Sequence, residues 1–307
     1  MALERLSERV SRLRAPNPGP MTLSGTNSYL IDAGRDRFVA IDPGPDHQGH
    51  ALDLAFAASD RGATIAAILV THGHPDHAPG AARLAALTGA TVYGHPRSSF
   101  AHTATLWDGK TFELDDLCLE VSDAPGHAVD HVALYLRDEH ALFTGDVVVG
   151  QGTVVIAPPG GEMATYRNTL ETLRDRYAGA ERIYGGHGPA IETPRAKFDE
   201  YIAHRALRER QVLAELRAGA ATIPALVERI YAEIDQLLWP AAARQVLAYL
   251  DALETQGRVR RVRERCATAA ERTLLELDLA RLGDPVAAEE LGAAAPIGAV
   301  VEYALEP

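Results

Sequence analysis

Lysine is almost missing from this chain of 307 residues, occurring only at Lys110 and Lys197. Its positive charge is therefore nearly all arginine, and 30 Lys and Arg against 42 Asp and Glu leave a formal net charge of −12. Such a balance excludes broad, non-specific nucleic-acid binding, which draws its affinity from cations neutralising phosphates, though local basic patches remain open. Cysteine is as scarce: Cys118 and Cys266, far apart in sequence, exclude a disulfide framework and a Cys-based zinc knuckle. Free thiols fit a reducing compartment. No run approaches the roughly 18 apolar residues of a spanning helix, so no membrane association is expected. The first sixteen residues, MALERLSERVSRLRAP, are charged throughout and lack a signal peptide's apolar segment, which makes a cytoplasmic location the expectation. What is plentiful is apolar residue, 47% of the chain, enough to exclude bulk disorder.

Residues 16–27 are rich in Pro, Gly, Ser and Thr and read as loop. NSYLIDA and RFVAIDPG read as strands joined around Gly34 and Arg35, followed by a helix over about 46–60. ATIAAILV, ending at Val70, is a continuous apolar run suited to a strand buried on both faces. A helix is expected over 76–87, then strands at TVYGH, 111–114, 116–121, 131–136 and 140–144. A helix at MATYRNTLETL and a strand at RIYGG close this part. From Pro194 helical patterns dominate, over 194–217, 222–231 and 240–255, before Gly257 introduces a basic strand pair at RVRRVRER. That order fits a small winged-helix-like module, with TLLELDL beyond it strand-like. The expected division is 1–217 for one domain and 218–307 for the second.

Chemistry concentrates in Thr71-His72-Gly73-His74-Pro75-Asp76-His77, directly after the buried strand. Three histidines and an aspartate on a strand-to-helix loop can converge on one point, and His72 and His74 project the same way from extended backbone. Further ligands must come from afar, and three candidates stand in Gly-rich loops after strands: His127, Asp146 and His187. Each alone would be an ordinary turn residue. Together with the first loop they supply five histidines and two aspartates, enough for two metals with positions left open for water and substrate. Zinc suits the His-rich set, and manganese or iron also fits the two carboxylates.

His-x-His-x-Asp-His followed by a lone His, an Asp and a last His resembles the metallo-β-lactamase superfamily over residues 72–187. The resemblance implies an α/β (α+β) chain, an αββα sandwich with a dinuclear metal site at one edge. It implies His72, His74 and His127 on one metal, Asp76, His77 and His187 on the other, and Asp146 bridging both. Asp42, in IDPG, matches an aspartate that supports the ligand loop from behind. NPGPMTLSGTNSYLI, APGHAVDHVAL, LFTGDVVVG, GGHGPAIETP and LLWPAAARQVLAYLDALETQGRV are similar to the β-lactamase-like protein 2 branch, which carries a C-terminal winged-helix-like extension. Ala128 departs from the Thr common after the ligand His, and residues from 267 onward match nothing in the branch.

The chemistry so implied is hydrolysis by a metal-bridging hydroxide, with Asp76 orienting the nucleophile or relaying its proton and His131 as candidate leaving-group acid. His95 reads as structural, and His47, His50, His102, His140 and His204 as surface residues. His74 stands where redox di-iron members carry glutamate, and Asp146 rather than a cysteine serves the second metal, so neither oxygen chemistry nor a dedicated antibiotic hydrolase is favoured. The first expectation for substrate is a small ester, thioester or lactone. The alternative is single-stranded RNA, the substrate associated with the branch, with Arg258, Arg260 and Arg261 of the basic strip contacting phosphates. A non-catalytic, metal-bound scaffold for a partner is the third reading, disfavoured because all seven ligands are kept. A homodimer is a further expectation for partners.

Overall fold

The computed structural model describes residues 3–275 and 299–306. Seven strands form a first sheet in chain order: β1 (Glu4–Arg5), β2 (Val10–Arg14), β3 (Asn27–Gly34), β4 (Arg37–Ile41), β5 (Thr64–Leu69), β6 (Thr91–Gly94) and β7 (Ala104–Thr105). From β1 to β4 neighbours are antiparallel, and from β4 to β7 they are parallel. Parallel pairing needs a crossover, and α1 (Gln48–Ser59) and α2 (Gly80–Thr88) supply the first two. The second sheet holds β8 (Thr111–Leu114), β9 (Leu117–Asp123), β10 (Val132–Leu136), β11 (Ala141–Gly145) and β12 (Arg182–Gly185), in the order β12-β11-β10-β9-β8. Here α3 (Met163–Arg176) is the crossover between parallel β11 and β12.

Both faces of each sheet are apolar, and the period-2 alternation of strand side chains divides them between two destinations. Val39 and Ile41 of β4 meet Leu134 and Phe143 between the sheets, while Phe38 and Ala40 turn outward to Leu54 of α1 and Leu84 of α2. On β11, Phe143 faces inward and Leu142 outward to Leu170 of α3 and Phe198 of α4 (Pro194–Ala218). The result is an αββα sandwich. Helix α2 starts later than expected, because Pro79 lacks an N–H and disfavours helical backbone at Ala78. Residues 75–77 form a turn, closed by His77 N–H donating to the His74 carbonyl.

The C-terminal part comprises β13 (Ala221–Thr222), α5 (Ile223–Ile230), α6 (Trp239–Thr255), β14 (Val259–Cys266), α7 (Ala269–Leu275) and β15 (Ala299–Leu305). RVRRVRER is not a strand pair. From Val259 on it lies in one strand, β14, whose partner is β15 at the end of the chain, in the sheet order β13-β15-β14. The strand-like reading of TLLELDL also fails over its first three residues, which are helical in α7. Thr268 and Glu271 form a capping box there: Glu271 N–H donates to Thr268 Oγ1 and Thr268 N–H to Glu271 Oε2. The rest of that stretch lies outside the described residues. The expected boundary at 217/218 falls at the end of α4, but the buried cluster runs through it. Val212 and Leu213 of α4 belong to one cluster with Leu226, Val246 and Leu250 on one side and Leu170 and Ile183 on the other. No helix among the described residues is long and apolar enough to cross a membrane.

Candidate metal centre

All seven expected ligands follow the C-terminal ends of strands or lie in the β9–β10 connection, so strand ends from both sheets bring them to one edge of the sandwich. The two sheets are joined there, by Asn27 N–H donating to the Gly186 carbonyl at 2.7 Å. The ligands form two groups. His72, His74 and His127 make one; Asp76, His77, Asp146 and His187 make the other, and within each group one donor atom per residue lies within 4.8 Å of every other.

The rings are aimed by bonds on their far nitrogens. His77 Nδ1–H donates to Asp42 Oδ2 at 2.8 Å, and His127 Nδ1–H donates to the Val155 carbonyl at 3.1 Å. His72 Nδ1 lies 3.0 Å from Thr71 Oγ1, which donates onward to Asp42 Oδ2 at 2.7 Å. Asp42 Oδ1 accepts Thr71 N–H as well, at 2.8 Å. One buried carboxylate therefore steadies a ligand of each group, fixing tautomer and orientation together. Asp42 does this from a left-handed backbone conformation, φ 49°.

Several atoms at the centre of these groups lack a hydrogen bond. His72 Nε2, His77 Nε2, Asp76 Oδ1 and Asp146 Oδ1 are buried with no hydrogen bond, and His74 Nδ1 faces His127 Nε2 at 3.0 Å. Buried polar atoms left unpaired are costly, and imidazole nitrogens and carboxylate oxygens converging in this way fit transition-metal cations. Only glycine suits position 186, since a Cβ there would stand 2.2 Å from Asp146 Oδ1 and 2.6 Å from His77 Cε1.

The groups differ electrically. Burial, then repulsion from neighbouring imidazoles, holds His72 well below the ordinary range and lowers His127 to about 3. Burial also opposes charge on His77 and His187, but the carboxylates outweigh it. Asp76, Asp42 and Asp146 hold His77 well above the ordinary range, and Asp146 and Asp76 push His187 up to about 10. Burial would raise Asp76 and Asp146 in turn, yet His77 and His187 hold both below the usual carboxylate range.

His131 does not have the place expected of a leaving-group acid. It is fully buried, stacked on His72 with ring centroids 4.5 Å apart, and its Nε2 accepts Asp146 N–H at 3.1 Å. It braces ligands from behind. The arginine strip is likewise occupied. Arg258 pairs with Glu209 at 2.8 Å, Arg261 with Glu254 at 3.0 Å and Asp251 at 3.5 Å, and Arg260 lies 3.9 Å from Glu306. Acids of α4, α6 and the chain's C-terminal end lie beside these three arginines. His95 is buried, as a structural residue should be, and accepts Arg97 N–H. Three histidines read as surface are not: His102 is half-buried, with Nδ1 2.9 Å from the Phe100 carbonyl oxygen. His50 is buried against Ser28 Oγ at 2.8 Å, and His204 is half-buried in a cavity wall.

That cavity, about 330 Å³, opens from Asp76, His127, Asp146 and His187 and runs to α4 and α6. Its walls include Met21, Leu23, Val149, Val155 and Leu238, and its far part Arg205, Arg208 and Gln245. These three polar residues carry no motif; a helix face and an inter-helix contact bring them to the site.

Residues 21–187 match the model of the metallo-beta-lactamase superfamily, and 222–272 that of the beta-lactamase associated winged helix domain. The chain belongs to the metallo-beta-lactamase superfamily, and it is a metal-dependent hydrolase. It is 31% identical to a beta-lactamase-like protein 2 homolog of Caenorhabditis elegans, over 83% of this chain and 87% of the relative. It is also 31% identical to the atrochrysone carboxyl ACP thioesterase of Aspergillus chevalieri, over 76% of this chain and 77% of the other. A metallo-beta-lactamase family protein of Thermus thermophilus shares the fold, with TM-score 0.70 and 24% identity over 84% of this chain and 97% of that one.

Proposed function

We propose that the chain binds two metal ions, zinc foremost, and hydrolyses an acyl ester or thioester of a small molecule. The observation that carries this reading is the cavity: it starts at four of the candidate ligands, is walled mainly by apolar side chains and is covered by the C-terminal helices. A cavity with mainly apolar walls and polar groups at its two ends suits a short acyl chain, whereas a polynucleotide needs a long cationic track. The thioesterase relative supports the same class, and the pairing of Arg258, Arg260 and Arg261 with acids argues against their use on phosphates.

Metal ions held by the two groups would polarise the substrate carbonyl and make water acidic enough to attack at neutral pH. The chain's own residues position and carry the proton. Asp76 lines the cavity, is a carboxylate at neutral pH, and has Oδ1 unpartnered, while its Oδ2 lies 3.0 Å from His187 Nε2. It accepts the proton of the attacking water and orients it. Thr26 Oγ1, donating to Asp76 Oδ2 at 3.4 Å, limits that carboxylate's rotation. Val149 and Val155 exclude bulk water from the acyl side.

The test is elemental analysis with a panel of acyl thioesters, acyl esters and single-stranded RNA, before and after chelation. The expected result is about two transition-metal equivalents and thioester hydrolysis that chelation abolishes and zinc restores. RNA cleavage by the replete protein without thioester or ester turnover would overturn the substrate reading. Less than about half an equivalent of metal after reconstitution would overturn the dinuclear one.

A further inference from the structure

Many arginines in this protein end on carboxylates: Arg37 on Asp115, Arg83 on Asp46, Arg174 on Asp175 and Asp199, Arg182 on Glu192. The far part of the cavity is different. Arg205 and Arg208, one turn apart on α4, have no carboxylate partner among the described residues. Arg205 is 1% exposed; its guanidinium donates to the Val154 carbonyl at 2.7 Å and to Gln245 Oε1 at 3.1 Å, leaving Nε unpaired. Arg208 donates to Gln211 Oε1 at 3.0 Å and the Ile230 carbonyl at 3.2 Å, with Nε unpaired, and lies 4.5 Å from the centre of the Tyr231 ring.

Two further unpaired atoms belong to the same wall. Gln245 Oε1 is used twice, by Arg205 and by Ile156 N–H, which leaves its buried Nε2 donors free. His204 Nδ1 is also buried without a partner. Tying α4 to α6 explains the bonds Arg205 makes, but not why two guanidiniums and an amide with spare donors line a cavity. Arg205 is buried and Arg208 half-buried, and burying cationic charge without an anion is expensive, so a counter-charge is expected from the ligand.

We propose that Arg205, Arg208, His204 and Gln245 form an anion subsite, and that the hydrolase prefers short acyl substrates whose chain ends in a compact oxyanion, a carboxylate or a phosphate. The substrate then lies along the cavity, its scissile carbonyl at the metal ligands and its anionic end at α4. This rests on the hydrolase reading above. The charge-bearing end lies in the C-terminal half of the cavity, so specificity comes from α4 and α6 and chemistry from the strand ends.

The test pairs neutral and anionic chains of equal length, hexanoyl with adipoyl and octanoyl with suberoyl, as thioesters of N-acetylcysteamine. A third arm replaces the terminal carboxylate with phosphate. Wild type should favour the anionic member of at least one pair by about tenfold or more, chiefly through KM, as charged hydrogen bonds of this kind imply. Arg208→Gln should bring that ratio to within about twofold of one, and Arg208→Lys should restore part of it. Arg208 is the residue to change, because Arg205 sits in the core and its loss threatens folding. The arm with the larger Arg208-dependent ratio identifies the oxyanion. Calorimetric binding of adipate against hexanoate to the metal-loaded protein gives a readout that needs no turnover. If no thioester is hydrolysed but adipate keeps an Arg208-dependent advantage, the hydrolase reading fails and the subsite stands. Ratios near one in wild type, or a preference undiminished in Arg208→Gln, overturn the subsite.

Discussion

The two halves of the candidate metal centre share a loop yet differ in charge. His72 and His77 stand five residues apart, both fully buried, and their imidazoles shift in opposite directions. The half built from His72, His74 and His127 is wholly imidazole, and burial with mutual repulsion keeps His72 and His127 neutral. The half built from Asp76, His77, Asp146 and His187 balances two histidines against two carboxylates, and in that company a buried histidine favours its charged form. His72 and His77 are the same residue type, equally buried; the neighbouring carboxylates decide.

The largest effect should come from removing a carboxylate of the second half. Asp146→Ala is expected to lose metal mainly from that half and to lower kcat/KM by more than about 100-fold, beyond what loss of a supporting group alone costs. Metal content and turnover of the same sample check it, with His131→Ala as the control that should cost less. Full metal content in Asp146→Ala, or a larger loss in His131→Ala, would break the assignment.

Asp42→Asn sharpens the comparison because this one carboxylate holds His77 directly and His72 through Thr71. An amide has one acceptor oxygen and cannot serve all three donors that Asp42 accepts, Thr71 N–H, Thr71 Oγ1 and His77 Nδ1. Metal affinity should fall in both halves by about 10–100-fold. A chelator titration resolving two metals would show it, and weakening confined to one half would refute the shared support.

The smallest effect lies outside the centre. His50 is buried, and burial, outweighing the attraction of Asp53, lowers it from 6.5 to about 4. A histidine whose folded pKa lies below its unfolded value adds nothing to stability above pH 6.5. Below that, the unfolded state takes up the proton first and the fold is destabilised, by about 3 kcal/mol at pH 4. His50→Gln, which keeps a partner for Ser28, should flatten Tm between these limits relative to wild type and leave activity at neutral pH unchanged. Parallel Tm curves for the two proteins would show that His50 does not titrate in this window.

Much of this was readable without coordinates because it is written locally. Alternation and helical spacing located the main strands and helices of residues 27–255 to within a few residues. The ligand spacing in THGHPDH, with histidine or aspartate beside glycine after later strands, named the seven candidate ligands. What escaped was decided at a distance. β2 reads as a charged segment, but Val10 and Leu13 are buried and Arg12 is matched to Glu4 across the sheet. The partner of β14 lies at the far end of the chain, where no local pattern announces it.

By itself the sequence determined which residues can bind metal, the alternation that makes both sheets apolar on two faces, and the helical character of the C-terminal part. Those properties depend on neighbours a few positions away. Only the tertiary structure decided that His131 packs behind the candidate ligands, that acids of α4 and α6 pair with the arginine strip, and that His204, Arg205 and Arg208 face a cavity. Each outcome depends on desolvation and on the sign of the nearest charge, and both are set by chain segments distant in sequence.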